Sequence, residues 1–285
     1  MKRSIARWQT WWWRLFVVIV IAFTVLPVPK PYDLALMAAP LALAFVRPPR
    51  STRPAVDLDP PVRGRWVALN SPGTAVPSHG VRAYGQTYAV DLLQPSADAA
   101  TSIGWSLRTR APRTYPCFGA PVLSMAPGTV VRVTDRQRDH RSRDTWPALI
   151  WMMTVEAFLR ELAGVSGILG NHIIVEHDDG TYAVYAHLRR GSAAVRAGER
   201  VPAGRQLAAV GNTGNTSEPH LHVQLMDAPR PTAAAGVPMR WPALITDDAE
   251  IDARWATGEA KATALPGFPR NGQILETAAA QDPRG

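Results

Sequence analysis

The chain has 285 residues, 46% of them hydrophobic, and a formal charge of +8 in which arginine far outnumbers lysine. That composition can supply a core for one sizeable domain with attachments, or for two small domains, and it excludes a disordered chain. The charges do not form a stripe interleaved with aromatics, which argues against a nucleic-acid partner, and the single cysteine, Cys117, excludes an intramolecular disulfide and a cysteine-built zinc cluster. Any metal centre must therefore come from histidines and carboxylates.

In chain order, residues 1–50 read as a unit of their own. Lys2, Arg3 and Arg7 precede a tryptophan cluster at Trp8 and Trp11 to Trp13, the pattern of an interfacial belt ahead of a membrane segment. A spanning helix needs about 20 apolar residues. The run that follows nearly reaches that if Arg14 snorkels toward headgroups, whereas a second run, LALMAAPLALAFV, is short and carries Pro40. Two arrangements fit: a hairpin of two short crossings, or one signal-anchor followed by an apolar stretch at the interface. A cleaved signal peptide fits less well, because no small-residue cleavage site directly follows the first run. The expectation is a membrane anchor of one or two apolar helices. By the positive-inside rule, Arg47, Arg50 and Arg53 would hold its second flank in the cytoplasm.

Residues 51–63 are proline-rich and aperiodic, as in a semi-rigid linker. Beyond them, short runs such as TYAVDLL, GTVVRV, NHIIVEH, TYAVYAHL and HLHVQLM alternate between glycine-containing turns. The fold expected for residues 64–240 is mainly β, an antiparallel sheet domain. An insert at about 136–168 breaks the pattern. Within it, residues 146–164 place Leu149, Met152, Met153, Leu159 and Leu162 near helical spacing, with Pro147 at a first-turn position and Gly164 as a stop. This amphipathic helix packs on the sheet, covers a groove, or rests on a membrane. Residues 241–285, rich in Ala, Pro and Thr, read as a loosely ordered tail.

Strand parity sorts the seven histidines. His220 and His222 are two apart and share a face, with Leu221 and Val223 on the other. Such a pair after a Gly-Asn-rich turn points to metal binding or catalysis. His187 closes a strand whose Tyr182, Val184 and Ala186 face the other way. Asp91 shares a face with Ala89 and Thr87, while Tyr88, Val90 and Leu92 point into the core.

GTVVRV, GNHIIVEHDDGTYAVYAHL and VRAGERVPAGRQLAAVGNTGNTSEPHLHVQL, in that order and spacing, resemble the lysostaphin-like M23 zinc metallopeptidases, which cut peptide cross-links in bacterial cell walls. The resemblance covers roughly residues 64–240. It implies Zn²⁺ as cofactor, with His222 as a ligand and His220 and His187 as catalytic side chains that handle the water and the transition state. It also implies a His-x-x-x-Asp motif supplying two more ligands. Asp91 matches the aspartate, but the residue four positions before it is Thr87, a poor zinc ligand. His79, in the loop VPSHGVRAYG, has ample reach to fold over the strand carrying Asp91 and replace the missing histidine. If it does, the resemblance implies a zinc endopeptidase acting on peptidoglycan peptides. If it does not, the chain is an inactive scaffold that activates another wall hydrolase.

A carrier of biotin or lipoate, which the hairpin VRAGERVPAGRQLAAVG also resembles, is excluded because no lysine lies between Lys30 and Lys261. Function on the wall would require the peptidase domain on the extracytoplasmic side of the cell membrane, held by its N-terminus. The sequence assigns no oligomeric state.

Overall fold

Alternating apolar and polar residues between glycine turns can bury one face of each strand only by pairing into a sheet, and these runs do so. A computed structural model describes residues 1–96 and 103–277. Its strands are β1 (Val56–Asp57), β2 (Gly64–Leu69), β3 (Val90–Leu93), β4 (Pro121–Leu123), β5 (Gly128–Thr134), β6 (His172–His177) and β7 (Tyr182–Ala186). The remainder are β8 (Arg200–Val201), β9 (Gln206–Ala209), β10 (Leu221–Met226), β11 (Gly236–Val237), β12 (Met239–Arg240), β13 (Leu244–Ile251) and β14 (Gln273–Thr277). Ten of them form one sheet in the order β13-β14-β2-β3-β10-β7-β6-β5-β8, with β11 beside β10. Its central pairings, β3 with β10 and β10 with β7, are antiparallel.

One face of the sheet carries the main core, in which Trp66, Val90, Leu92, Tyr185, Leu221 and Val223 are all buried. Each such side chain contributes roughly 1.5–3 kcal/mol by leaving water. The small β4–β9 sheet contributes Val122, Leu207 and Ala208 to the same cluster. The opposite face carries a smaller cluster of Leu169, Ile174, Val184, Ala186 and Met226. The insert packs on this second face. It is helical as its spacing predicts, running unbroken from Trp146 through a π-type turn over Met152–Glu156 to Ala163, stopping at Gly164, and followed by a short helix over Val165–Leu169.

Three expectations change. The described part of the segment after residue 240, residues 241–277, is not a loose tail: β13 pairs with β14, and β14 pairs with β2, extending the main sheet. Leu275 is fully buried there, so a strand edge that composition alone leaves invisible is paid for by packing. Residues 278–285 lie outside the described part. The linker is tied down as well, through β1 against β12 and the buried Leu58 and Val62.

The third change concerns the anchor. The N-terminus forms α1 (Lys2–Ala6), α2 (Gln9–Ala22) and α3 (Tyr32–Ala44). Among the described residues no helix is long and apolar enough to cross a membrane. At 14 and 13 residues, α2 and α3 reach about 20 Å each, against a hydrocarbon core of about 30 Å. Pro27, Pro29 and Pro31 separate them, and none of the three can continue a helix interior. The unit also docks on the sheet domain: Arg3 forms a forked pair with Asp227 at 2.9 and 2.6 Å, and Gln9 Nε2 donates to Glu161 Oε1 at 2.6 Å. A side chain at Gly164 would sit 2.9 Å from Thr10 Oγ1, so glycine there lets α2 approach the insert closely.

Two histidines serve the fold. Burial pushes His172 and His177 each down to about 4, and the Nε2 atom of each is buried without a partner. Their unfolded value is about 6.5. With the folded value depressed, the stability they contribute is complete above pH 6.5 and is lost as pH falls toward and through 4. Wild type is therefore expected to lose stability over that window, on the order of 3 kcal/mol per histidine at most. In urea titrations at pH 7.5 and 5, His172→Leu should show a smaller difference than wild type; an equal difference refutes the assignment.

Candidate metal and catalytic site

The site lies on the second face of the sheet, where cross-strand pairing brings distant residues together. In the antiparallel register His222 of β10 stands opposite both Asp91 of β3 and Ala186 of β7. Side chains opposite one another share a face, so the partner of Asp91 is fixed by register. His222 Nδ1 lies 2.9 Å from Asp91 Oδ1. His79 joins them from its loop, with Nε2 3.3 and 3.2 Å from the two Asp91 oxygens. The Ser78 backbone N–H donates to the Thr87 carbonyl at 3.1 Å, which ties this loop to the segment leading into β3. One ligand atom from each of His79, Asp91 and His222 lies within 4.8 Å of the others.

Thr87 is not on that strand. The strand begins at Val90, and Thr87 belongs to a turn over Ala83–Tyr88 in which Tyr84 and Gly85 have φ of 56° and 75°. Two-residue alternation therefore does not extend back from Asp91 to Thr87, which corrects the shared face expected of them. Of the other histidines, His140 bonds backbone carbonyls of Arg141 and Gly214, and His172 and His177 stay in β6.

His187 and His220 complete the cluster, with ring centroids 4.7 Å apart, and His187 lies 5.7 Å from His222. Strict alternation would send His187 to the face of Tyr185, into the main core. Its φ of +60°, in the left-handed region, breaks the alternation at the strand end and brings the ring to the site face. That backbone is pinned on both sides: the His187 N–H donates to the Leu169 carbonyl and the Gly211 N–H to the His187 carbonyl, each at 3.0 Å.

The hydrogen bonds fix tautomers. His187 Nδ1 is 2.7 Å from the Thr213 carbonyl and His220 Nδ1 is 2.8 Å from the Glu218 carbonyl. A carbonyl only accepts, so in both rings Nδ1 carries the proton and Nε2 presents a lone pair. A Cβ at Gly170 would lie 2.4 Å from the Thr213 carbonyl carbon, so glycine is required where the short helix over Val165–Leu169 meets this acceptor. Burial, joined by the neighbouring histidines, holds His187 well below the ordinary histidine range. Burial also lowers His220, against the opposing charge of Asp91.

His222 is set the other way round. Gln224 Nε2 donates to the Tyr84 carbonyl at 2.7 Å, which turns its Oε1 toward His222 Nε2, 2.9 Å away. Nε2 is then the donor and Nδ1 faces Asp91. Burial would lower this imidazole, but the hydrogen bond and charge of Asp91 raise it overall. Burial would likewise raise Asp91, but the surrounding histidines hold it well below the usual carboxylate range. Asn70 Nδ2 donates to Asp91 Oδ2 at 2.7 Å, which orients the carboxylate.

Gln224 and Asn70 are site residues that reasoning from sequence missed. Gln224 was within reach of it, since it continues the 220, 222 parity of the strand. Asn70 has no such signal. Partners of this kind typically change metal affinity 10–100-fold. Gln224→Leu is therefore expected to weaken any metal binding at His79, Asp91 and His222 by about that factor without unfolding the chain, checked by zinc titration with chelator competition alongside circular dichroism; unchanged affinity refutes the role.

These groups open onto a groove of about 370 Å³, bordered by Met152 from the insert and by Trp255 from beyond β13. Glu218, in the same groove, is pushed up to about 7 by burial.

The sequence model of Peptidase family M23 matches residues 154–234, a span that contains His187, His220 and His222 but neither Asp91 nor His79. The cell division protein DipM of Caulobacter vibrioides is 43% identical over 60 residues, 21% of this chain and 10% of that protein. The peptidoglycan DD-endopeptidase ShyA of Vibrio cholerae is 35% identical over 72 residues, 25% of this chain and 16% of that protein. The chain thus matches only a tenth to about a sixth of the length of these curated relatives. Among solved structures, the catalytic domain of lysostaphin from Staphylococcus simulans aligns with 57% of this chain and 84% of its own, at 18% identity and a TM-score of 0.32.

Proposed function

We propose, for a chain whose residues 154–234 belong to peptidase family M23, a zinc-dependent endopeptidase that hydrolyses peptide bonds of bacterial cell-wall peptidoglycan. The observation that carries this reading is the meeting of His79, Asp91 and His222, whose ligand atoms lie within 4.8 Å of one another. Two imidazole nitrogens and a carboxylate oxygen form a donor set that suits zinc; calcium and magnesium would call for oxygen ligands. Three protein ligands also leave a fourth position open for water or substrate. A bound zinc would supply Lewis acidity, lowering the pKa of water and polarising the scissile carbonyl.

The protein side chains divide the remaining work. His222 offers Nδ1 because its Nε2 proton is committed to Gln224. Asp91 offers one oxygen while Asn70 holds the other. His187 and His220, neutral and with Nε2 unprotonated, can accept the proton of the attacking water and return it to the leaving amine. Once protonated, either becomes a donor able to stabilise the developing oxyanion.

The substrate class is supported by the relatives, ShyA being a peptidoglycan DD-endopeptidase, and under this reading the domain works outside the cytoplasm. A second reading, an inactive scaffold that activates another hydrolase, is favoured by one observation: Thr87, four residues before Asp91, is no zinc ligand. Purified, zinc-loaded full chain incubated with peptidoglycan sacculi separates the two. Mass spectrometry should detect muropeptides cut at peptide bonds, at a rate abolished in His222→Ala. Intact cross-links after prolonged digestion, or equal products from the variant, overturn the endopeptidase reading.

A further inference from the structure

The N-terminal hairpin and the insert carry apolar side chains that catalysis does not use. Val18 and Ile21 on α2 are each 61% exposed, and Met153 in the insert is 72% exposed. Leu34 on α3 and Trp151 and Leu159 in the insert are exposed as well. The two parts adjoin: Trp13 packs edge-on against both Phe45 and Phe158, at 5.4 and 6.3 Å, and Arg14 donates to the Leu162 carbonyl at 2.9 Å. Exposed apolar side chains gathered on adjoining elements mark an interaction surface.

Three observations identify the partner. First, the border pairs cations with indoles: Arg7 lies over Trp8 at 5.2 Å and Arg14 over Trp11 at 4.8 Å. Indole and guanidinium side by side is the chemistry of a lipid headgroup layer. Second, residues 1–56 hold eight Lys and Arg against one acid, Asp33, and with Arg3 neutralised by Asp227 the remainder still leaves a net positive unit complementary to an anionic bilayer. A second copy of the chain would bring that basic set against itself. Third, α2 and α3 enclose a groove of about 660 Å³ lined by apolar side chains and Tyr32, suited to an acyl chain.

We infer that α2, α3 and the insert form one interfacial foot that seats the protein in the headgroup and acyl boundary of an anionic membrane without crossing it. Met152 of the same insert borders the histidine groove, so the foot would hold that groove next to the bilayer surface. Lipid binding is measured without wall substrate, so its outcome is separate from that of the peptidase reading.

The test mixes the full chain with vesicles of phosphatidylethanolamine and phosphatidylglycerol, or of phosphatidylcholine alone, and follows flotation. Strong, salt-sensitive flotation with the anionic vesicles and weak flotation with the neutral ones is expected, with tryptophan fluorescence quenched by brominated acyl chains. Carrying the exposed pairs into charge, Val18→Asp with Ile21→Asp or Met153→Asp with Leu159→Asp, should lower partitioning about tenfold or more. Circular dichroism and zinc content of both variants should match wild type. Flotation unchanged in both variants overturns the inference. So does a dimer that the variants convert to monomer while vesicle binding is unaltered, since a second copy would then cover the face. Resistance to alkaline carbonate extraction overturns the non-crossing geometry.

Discussion

Replacing His79 with alanine is expected to lower zinc affinity at least about a hundredfold, beyond the 10–100-fold range of residues that only orient a ligand. His79 approaches Asp91 through Nε2, at 3.2 Å, and its ring centroid lies 4.9 Å from that of His222. Without it, two protein ligands remain, too few for the closed side of a tetrahedral site. The substitution should leave the fold intact, because the loop is fixed by its backbone, through the Ser78 N–H to the Thr87 carbonyl, and not by the imidazole. Metal content after dialysis, with circular dichroism on the same samples, is the measurement. Stoichiometric zinc in folded His79→Ala would show that the third ligand lies elsewhere, whereas loss of zinc together with loss of fold in the alanine variant but not in His79→Gln would make the loop histidine a structural residue.

The constellation was legible in the sequence where it depended on local periodicity. His220 and His222 share a face because both precede or lie on one regular strand, and Val90 and Leu92 flank Asp91 in the core as alternation requires. Legibility ended where backbone geometry departs from the repeat. His187 reaches the site through a left-handed residue that parity does not anticipate, and Thr87 leaves the strand because Tyr84 and Gly85 turn the chain just before it. Contacts between remote segments were hidden altogether. Asn70 meets Asp91 across the β2–β3 pairing, and β14 completes the sheet beside β2 from more than 200 residues downstream. The N-terminal runs were apolar enough to be read as membrane-crossing segments, but α2 stops ahead of the proline series, too short to cross, and polar contacts through Arg3, Gln9 and Arg14 dock the unit on the sheet domain.

Loss of His220 should separate chemistry from metal binding. His220→Ala is expected to lower kcat by about 10²–10⁴-fold, the usual contribution of general acid–base catalysis, with zinc content and KM close to wild type. The expectation depends on the ring staying outside the ligand set. Its Nε2 is 3.6 Å from Asp91 Oδ1, near enough to serve water held at the site and also near enough that a ligand role must be tested. Its Nδ1 is committed to the Glu218 carbonyl, and Thr216 Oγ1, 3.1 Å from the same nitrogen, adds a second restraint on the ring. His187→Ala should behave alike, and the double variant should lose scarcely more than either single one if the two rings pass one proton between water and leaving amine. Multiplicative losses would mean that the rings act independently, one on the water and one on the oxyanion. Zinc loss in His220→Ala would make it a ligand, and an undiminished kcat would remove it from the mechanism.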